Sequence, residues 1–130
     1  MNCVLPGGLA ACPKDVLIVE DDPLIALDFE DTLLGLGVPE VRTAGTVATA
    51  LDMIESRAPD FALLDVGLIR EKSFAIAERL AASKIPFAFV TGYAGHNVPA
   101  VFADRPILAK PYSLDGLQAL LRRFGCRARS

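Results

Sequence analysis

The chain has 130 residues, 52% of them hydrophobic and 22% charged, the balance of one packed domain rather than of a disordered segment. Its formal net charge of -3 provides no field that would gather nucleic acid, and no apolar run approaches the roughly 20 residues needed to cross a bilayer. Three cysteines, Cys3, Cys12 and Cys126, form an odd set without a Cys-x-x-Cys pair, which argues against a disulfide framework or a zinc site and for a reducing cytoplasm.

Residues 1–13 read as a flexible leader. Within it Leu9-Ala10-Ala11-Cys12 superficially resembles a lipoprotein cleavage box, but it lacks a basic n-region and Pro6-Gly7-Gly8 interrupts the apolar stretch. Val16 to Val19 is the first strand-length apolar run, closed by Glu20, Asp21 and Asp22. Pro23 to Leu36 follows as a helix with Ile25, Phe29, Leu33 and Leu36 along one face, ended by Gly37. Glu40 to Ala44 is a more polar strand, suited to an edge, and Thr46 can cap a helix carrying Val47, Leu51 and Ile54. The third run, Phe61 to Leu64, ends on Asp65, and Ser73 can cap a helix with Ile76, Ala77 and Leu80 inward. The fourth, Phe87 to Val90, ends on Thr91. Gly92, Gly95, Asn97 and Pro99 then leave room for only a turn or two of helix around Ala100 to Ala103, so a short or mobile fourth helix is expected. Ile107 to Ala109 is the fifth strand, and Ser113 caps a final helix with Leu114, Leu117, Leu121 and Phe124 inward. Arg122 and Arg123 complement the dipole of its last turn, and Arg127 and Arg129 belong to a flexible basic tail over 126–130.

Five strands alternating with helices imply a doubly wound α/β fold with a five-stranded parallel sheet, because parallel neighbours need helical crossovers. In such sheets ligands bind at the carboxyl ends of the strands. Glu20, Asp21, Asp65, Thr91 and Lys110 all fall there, each at the end of an otherwise apolar run. Any one of them has a plain structural role available, Asp65 as a cap, Thr91 as a strand residue, Lys110 as an ion-pair partner. Those roles do not explain the joint placement. Three carboxylates on one edge repel one another, and a hard divalent ion such as Mg²⁺ resolves the repulsion while leaving positions for water and a phosphoryl oxygen. Lys110 and Thr91 would then bind the oxygens of a phosphoryl group that the Asp65 carboxylate attacks in line.

With these motifs the sequence resembles a response-regulator receiver domain of two-component signalling, CheY-like and without an output domain of its own. The matching segments are Val16-Leu17-Ile18-Val19-Glu20-Asp21-Asp22-Pro23, Leu63-Leu64-Asp65-Val66, Phe89-Val90-Thr91-Gly92 and Ala109-Lys110-Pro111. The resemblance implies a flavodoxin-like strand order 2-1-3-4-5 and a receiver over residues 14–125. It makes Asp65 the phosphoacceptor, Asp21 and Asp65 direct Mg²⁺ ligands, Glu20 a ligand through water and the Gly67 carbonyl a further ligand. Thr91 becomes the switch hydroxyl and Lys110 the phosphate-pairing lysine, followed by a cis bond to Pro111, while the more exposed Asp22 is not assigned to the metal. The implied donor is a histidine kinase or histidine phosphotransfer protein. The chain would be a cytoplasmic monomer or weak dimer that signals by protein–protein contact, binds neither nucleic acid nor membrane, and is no enzyme beyond its own phosphorylation and dephosphorylation.

Three positions depart from the pattern. Ile107 stands where the family usually has an aromatic switch residue, and Ile69 where a proline often follows the phosphoacceptor. Tyr93 after Thr91-Gly92 is similar to a branch of stand-alone receivers, which makes it the candidate moving aromatic. His96, the sole histidine, reads as an exposed loop residue. Three rival readings remain: a degenerate receiver acting only as an interaction module, an aspartate-nucleophile phosphohydrolase, and a nucleotide-binding flavodoxin-like protein. The hydrolase would need Asp-x-Asp after its first strand and a capping insertion. The nucleotide binder would need a glycine-rich turn there.

Overall fold

The computed structural model describes residues 13–66, 74–91, 105–109 and 114–124. In chain order the elements are β1 (Asp15–Val19), α1 (Pro23–Gly35), β2 (Glu40–Ala44), α2 (Val47–Ser56), β3 (Phe61–Asp65), α3 (Phe74–Ala82), β4 (Phe87–Thr91), β5 (Ile107–Ala109) and α4 (Leu114–Phe124). The short helix expected around residues 100–103, the caps Ser73 and Ser113, all of the 1–13 leader but its last residue, and the tail at 126–130 lie outside the described residues.

All strand pairings are parallel, in the order β2-β1-β3-β4-β5. The three central strands are apolar on both sides because both sides are covered. Alternation along each strand sorts their side chains into two cores. Leu17, Val19, Leu64 and Phe89 pack with Ala50, Ile54, Ile76 and Leu80 of α2 and α3. On the opposite face Val16, Ile18, Leu63 and Val90 pack with Phe29, Leu33, Leu117 and Leu121 of α1 and α4. Each fully buried leucine or phenylalanine contributes roughly 1.5–3 kcal/mol. Phe89 stands edge-on to both Phe87, with ring centroids 5.5 Å apart, and Phe74, at 5.9 Å. The Arg105 guanidinium carbon lies 4.5 Å from the Phe87 ring centroid.

The helix ends follow from their capping residues. Asp22 caps α1, its carboxylate accepting from the Leu24 amide at 2.9 Å, with Pro23 at the first helical position where no amide is needed. Thr46 caps α2 by accepting from the Thr49 amide at 3.1 Å. Beyond α1 the Val38 amide donates to the Leu33 carbonyl and the Gly37 amide to the Leu34 carbonyl, both at 3.1 Å, while Gly37 adopts φ 105°. This double closure needs a left-handed residue, and glycine supplies it without steric cost. α3 closes the same way, Ile85 donating to Leu80 and Lys84 to Ala81, but here Lys84 occupies the left-handed position at φ 60°.

At the amino-terminal edge of the sheet an ion network ties three elements together. Arg42 on β2 grips Asp15 on β1 with two bonds of 2.9 and 3.0 Å and donates to the Met53 and Arg57 carbonyls at the end of α2. Arg57 bonds Asp15 at 2.9 Å and pairs with Glu40. Hydrogen bonds from Arg57 to Glu40 first, and then to Asp15, raise its guanidinium pKa above the ordinary arginine value. Asp60 accepts from the Lys14 and Asp15 amides at 2.8 and 3.1 Å, fixing the chain just before β3 against the start of β1.

Candidate functional site

The register of the sheet assembles the opposite, carboxyl edge. Val19 of β1 faces Leu64 of β3, so that Glu20 and Asp65 follow at the same level, and Asp65 in turn faces Val90 of β4. Thr91, one residue further, is the last residue of β4 and faces Ala109 of β5. Glu20, Asp65 and Thr91 are the three buried polar residues among those described, at 4%, 6% and 4% exposure, within a core otherwise made of hydrocarbon. A carboxylate is costly to desolvate unless it is compensated, so two of them at the end of buried strands mark this edge as a place built for something other than packing.

Backbone bonds hold the acidic turn after β1 in place. The Glu20 amide donates to the Ala44 carbonyl at 2.9 Å, extending the β1–β2 ladder by one residue, and a Glu20 carboxylate oxygen accepts from the Asp22 amide at 3.2 Å. Asp22 itself points to the helix it caps. This capping role was not singled out from the sequence, although an aspartate directly before a proline at the head of an apolar-periodic segment signals it. The division of labour among the three consecutive acids follows: Asp22 is exposed and committed to α1, whereas Glu20 is buried and Asp21 half-buried.

One carboxylate oxygen from each of Glu20, Asp21 and Asp65 lies within 4.8 Å of the others. Opposite ligands of an octahedral Mg²⁺ stand about 4.2 Å apart, twice its oxygen distance. The donor set is therefore hard, anionic and of the right span for such an ion, with a water completing any longer reach. Among the described residues the structure brings together Glu20, Asp21 and Asp65, with Thr91 at the end of the adjoining strand. Lys110, Pro111, Gly67, Ile69, Tyr93 and His96 lie outside the described residues. Ile107, in the aromatic switch position, opens β5 and is 40% exposed; with Pro106, Leu108, Gly116, Ala119 and Leu120 it lines a shallow groove between β5 and α4.

Residues 16–122 match the family model of the response regulator receiver domain. The chain belongs to that family. This receiver is similar to SdrG from Sphingomonas melonis Fr1, whose solution structure shares 46% identity over 85% of this chain and 95% of that one, with a TM-score of 0.76. It is also similar to the BeF3-activated conformation of SdrG from Pseudomonas melonis Fr1, with 47% identity over 83% of this chain and 92% of that one and a TM-score of 0.73. Among curated proteins the receiver is 31% identical over 114 residues to the phyllosphere-induced regulator PhyR of Methylorubrum extorquens, covering 82% of this chain and 42% of PhyR. It is 30% identical over 112 residues to the transcriptional regulatory protein PdtaR of Mycobacterium tuberculosis, covering 83% of this chain and 55% of PdtaR. The receiver thus spans about half the length of the curated relatives it matches. No helix among its described residues is long and apolar enough to cross a membrane.

Proposed function

We propose that this receiver takes a phosphoryl group onto Asp65 in a two-component relay and passes the signal on through protein contact. The observation that supports it best is the convergence of Glu20, Asp21 and Asp65 at the carboxyl edge of a buried parallel sheet. Asp21 and Asp65 would hold Mg²⁺ directly, Glu20 through water, and the Gly67 carbonyl would complete the protein's share. The bound ion would supply positive charge against the phosphoryl oxygens and lower the repulsion that an incoming dianion meets from three carboxylates.

In the transfer a carboxylate oxygen of Asp65 forms a bond to phosphorus as the phosphorus–nitrogen bond of a phosphohistidine breaks. The imidazole leaves with the bonding pair and is protonated from solvent. Lys110 pairs with a phosphoryl oxygen, and the Thr91 hydroxyl donates to another. The donor would be a histidine kinase or histidine phosphotransfer protein, and the chain would turn over no substrate but itself. A further support is that SdrG, nearly half identical to this chain, adopts a conformation activated by BeF3, a mimic of the phosphoryl group.

Intact-protein mass spectrometry after incubation with acetyl phosphate tests the reading. A single phosphoryl adduct that requires Mg²⁺ and disappears in Asp65→Asn is the expected result. Absence of an adduct from both acetyl phosphate and phosphorylated histidine kinases would sink it and leave the degenerate interaction module.

A further inference from the structure

The acidic turn after β1 is anchored at both ends, and its second anchor is a residue outside the metal-binding set. At its start the Glu20 amide is held by the Ala44 carbonyl at 2.9 Å. At its end Asp22 is fixed to the first turn of α1. Its carboxylate accepts from the Leu24 amide at 2.9 Å and, more loosely, from the Ile25 amide at 3.5 Å, while its carbonyl accepts from the Ala26 amide at 2.9 Å. The Asp22 amide faces the other way and donates to a Glu20 carboxylate oxygen at 3.2 Å. Asp22 thus joins the end of the helix to the side chain of a buried acid two residues before it.

We infer that Asp22 is a positioning residue for Mg²⁺: its capping of α1 fixes its amide, and that amide holds the Glu20 carboxylate among the acids that would bind the ion. The inference rests on the metal reading of Glu20, Asp21 and Asp65 given above. A glutamate side chain has more rotamers than an aspartate, and a ligand that must be ordered when the ion arrives weakens binding by that lost freedom. A bond that orders it beforehand moves the cost from binding to folding. The bond also suits the charge, since an amide donor compensates a carboxylate that is only 4% exposed. One amide does not exhaust a carboxylate, which accepts at about four positions. The carboxylate of Asp22 is itself exposed and directed to helix amides, so it serves the ion through geometry and not through its charge.

Mg²⁺ titrated into the isotopically labelled full chain, with the amide shifts of the acidic turn reporting the dissociation constant, separates this role from charge and from stability. Asp22→Ala keeps the amide but removes the cap that fixes it. It should raise the Mg²⁺ dissociation constant about tenfold, the scale of a disturbed hydrogen-bonding partner of a metal ligand. Asp22→Asn removes the same charge but keeps a side chain that caps equally well, and should stay within about twofold of the wild type at physiological salt. Gly37→Ala, at the far end of α1 where φ is 105°, is the stability control: it should lower the melting temperature and leave the dissociation constant unchanged. In a Glu20→Ala background, adding Asp22→Ala should have no further effect, because the group through which it acts is gone. Equal weakening by Asp22→Asn and Asp22→Ala would give the effect to charge and overturn the inference, as would independent losses from Glu20→Ala and Asp22→Ala. Wild-type affinity in Asp22→Ala would overturn it while leaving the metal site standing. A wild-type chain that binds no Mg²⁺ would remove the site itself, and the inference with it.

Discussion

Arg42 is 15% exposed and Asp15 13%, so their two-pronged pair is largely shielded from solvent, and the same guanidinium reaches two carbonyls at the end of α2. A planar fork is what such a site needs, since one side chain must satisfy a carboxylate and a helix terminus at once. Arg42→Ala should therefore cost about 2 kcal/mol, the loss of charge-assisted bonds from a partly buried carboxylate. Arg42→Lys keeps the charge without the fork and should recover less than half of that. Urea unfolding would show both as a lower midpoint at unchanged slope. An unchanged midpoint in Arg42→Ala would mean that Arg57 alone satisfies Asp15.

At the scale of elements, α1 and α3 end in the same closure with different residues at the left-handed position, and opposite outcomes are expected. Gly37→Ala adds a Cβ at φ 105° and should destabilise by about 1 kcal/mol. Lys84→Gly removes one at φ 60° and should stabilise by about 0.5 kcal/mol. Differential melting of the two variants checks the pair, and two shifts of the same sign would refute the explanation. Gly37 announces its closure in the sequence; Lys84 does not, because a lysine in that conformation is imposed by the buried Leu80 and Ile85 on either side of the turn. The strands show the same limit. The apolar runs locate all five, but β1, β3 and β4 each extend by one polar residue, Asp15, Asp65 and Thr91. Asp65 and Thr91 were legible as strand ends because the site explains them. Asp15 was not, because its partners Arg42 and Arg57 lie 27 and 42 residues away, beyond any local periodicity. The exposed leucines of α1 were legible only by exclusion: Ile25, Phe29, Leu33 and Leu36 fill the face read as inner, and Leu24, Leu27 and Leu34 fall off it.

For the whole molecule, the carboxyl edge concentrates negative charge and the amino-terminal edge neutralises it, so a divalent cation should act on global stability. At ten times its dissociation constant, Mg²⁺ would add about 1.4 kcal/mol, or roughly 5 °C in Tm for a domain of this size. Chelation should reverse the gain, and Asp21→Asn should abolish it while raising the metal-free Tm, because one of three clustered carboxylates is gone. A Mg²⁺-dependent rise that survives in Asp21→Asn would place the ion elsewhere. The sheet that supports this edge has one further property. Its outer strands are a five-residue strand carrying Glu40 and Arg42 and a three-residue strand, while the more hydrophobic strands lie inside. Charged or very short borders are poor templates for strand addition, the route by which exposed β-structure recruits further chains into aggregates. Both borders of the sheet therefore resist the addition of a further strand, and the exposed leucines of α1 stand on a helix, which offers no open row of backbone donors and acceptors for one copy to template the next.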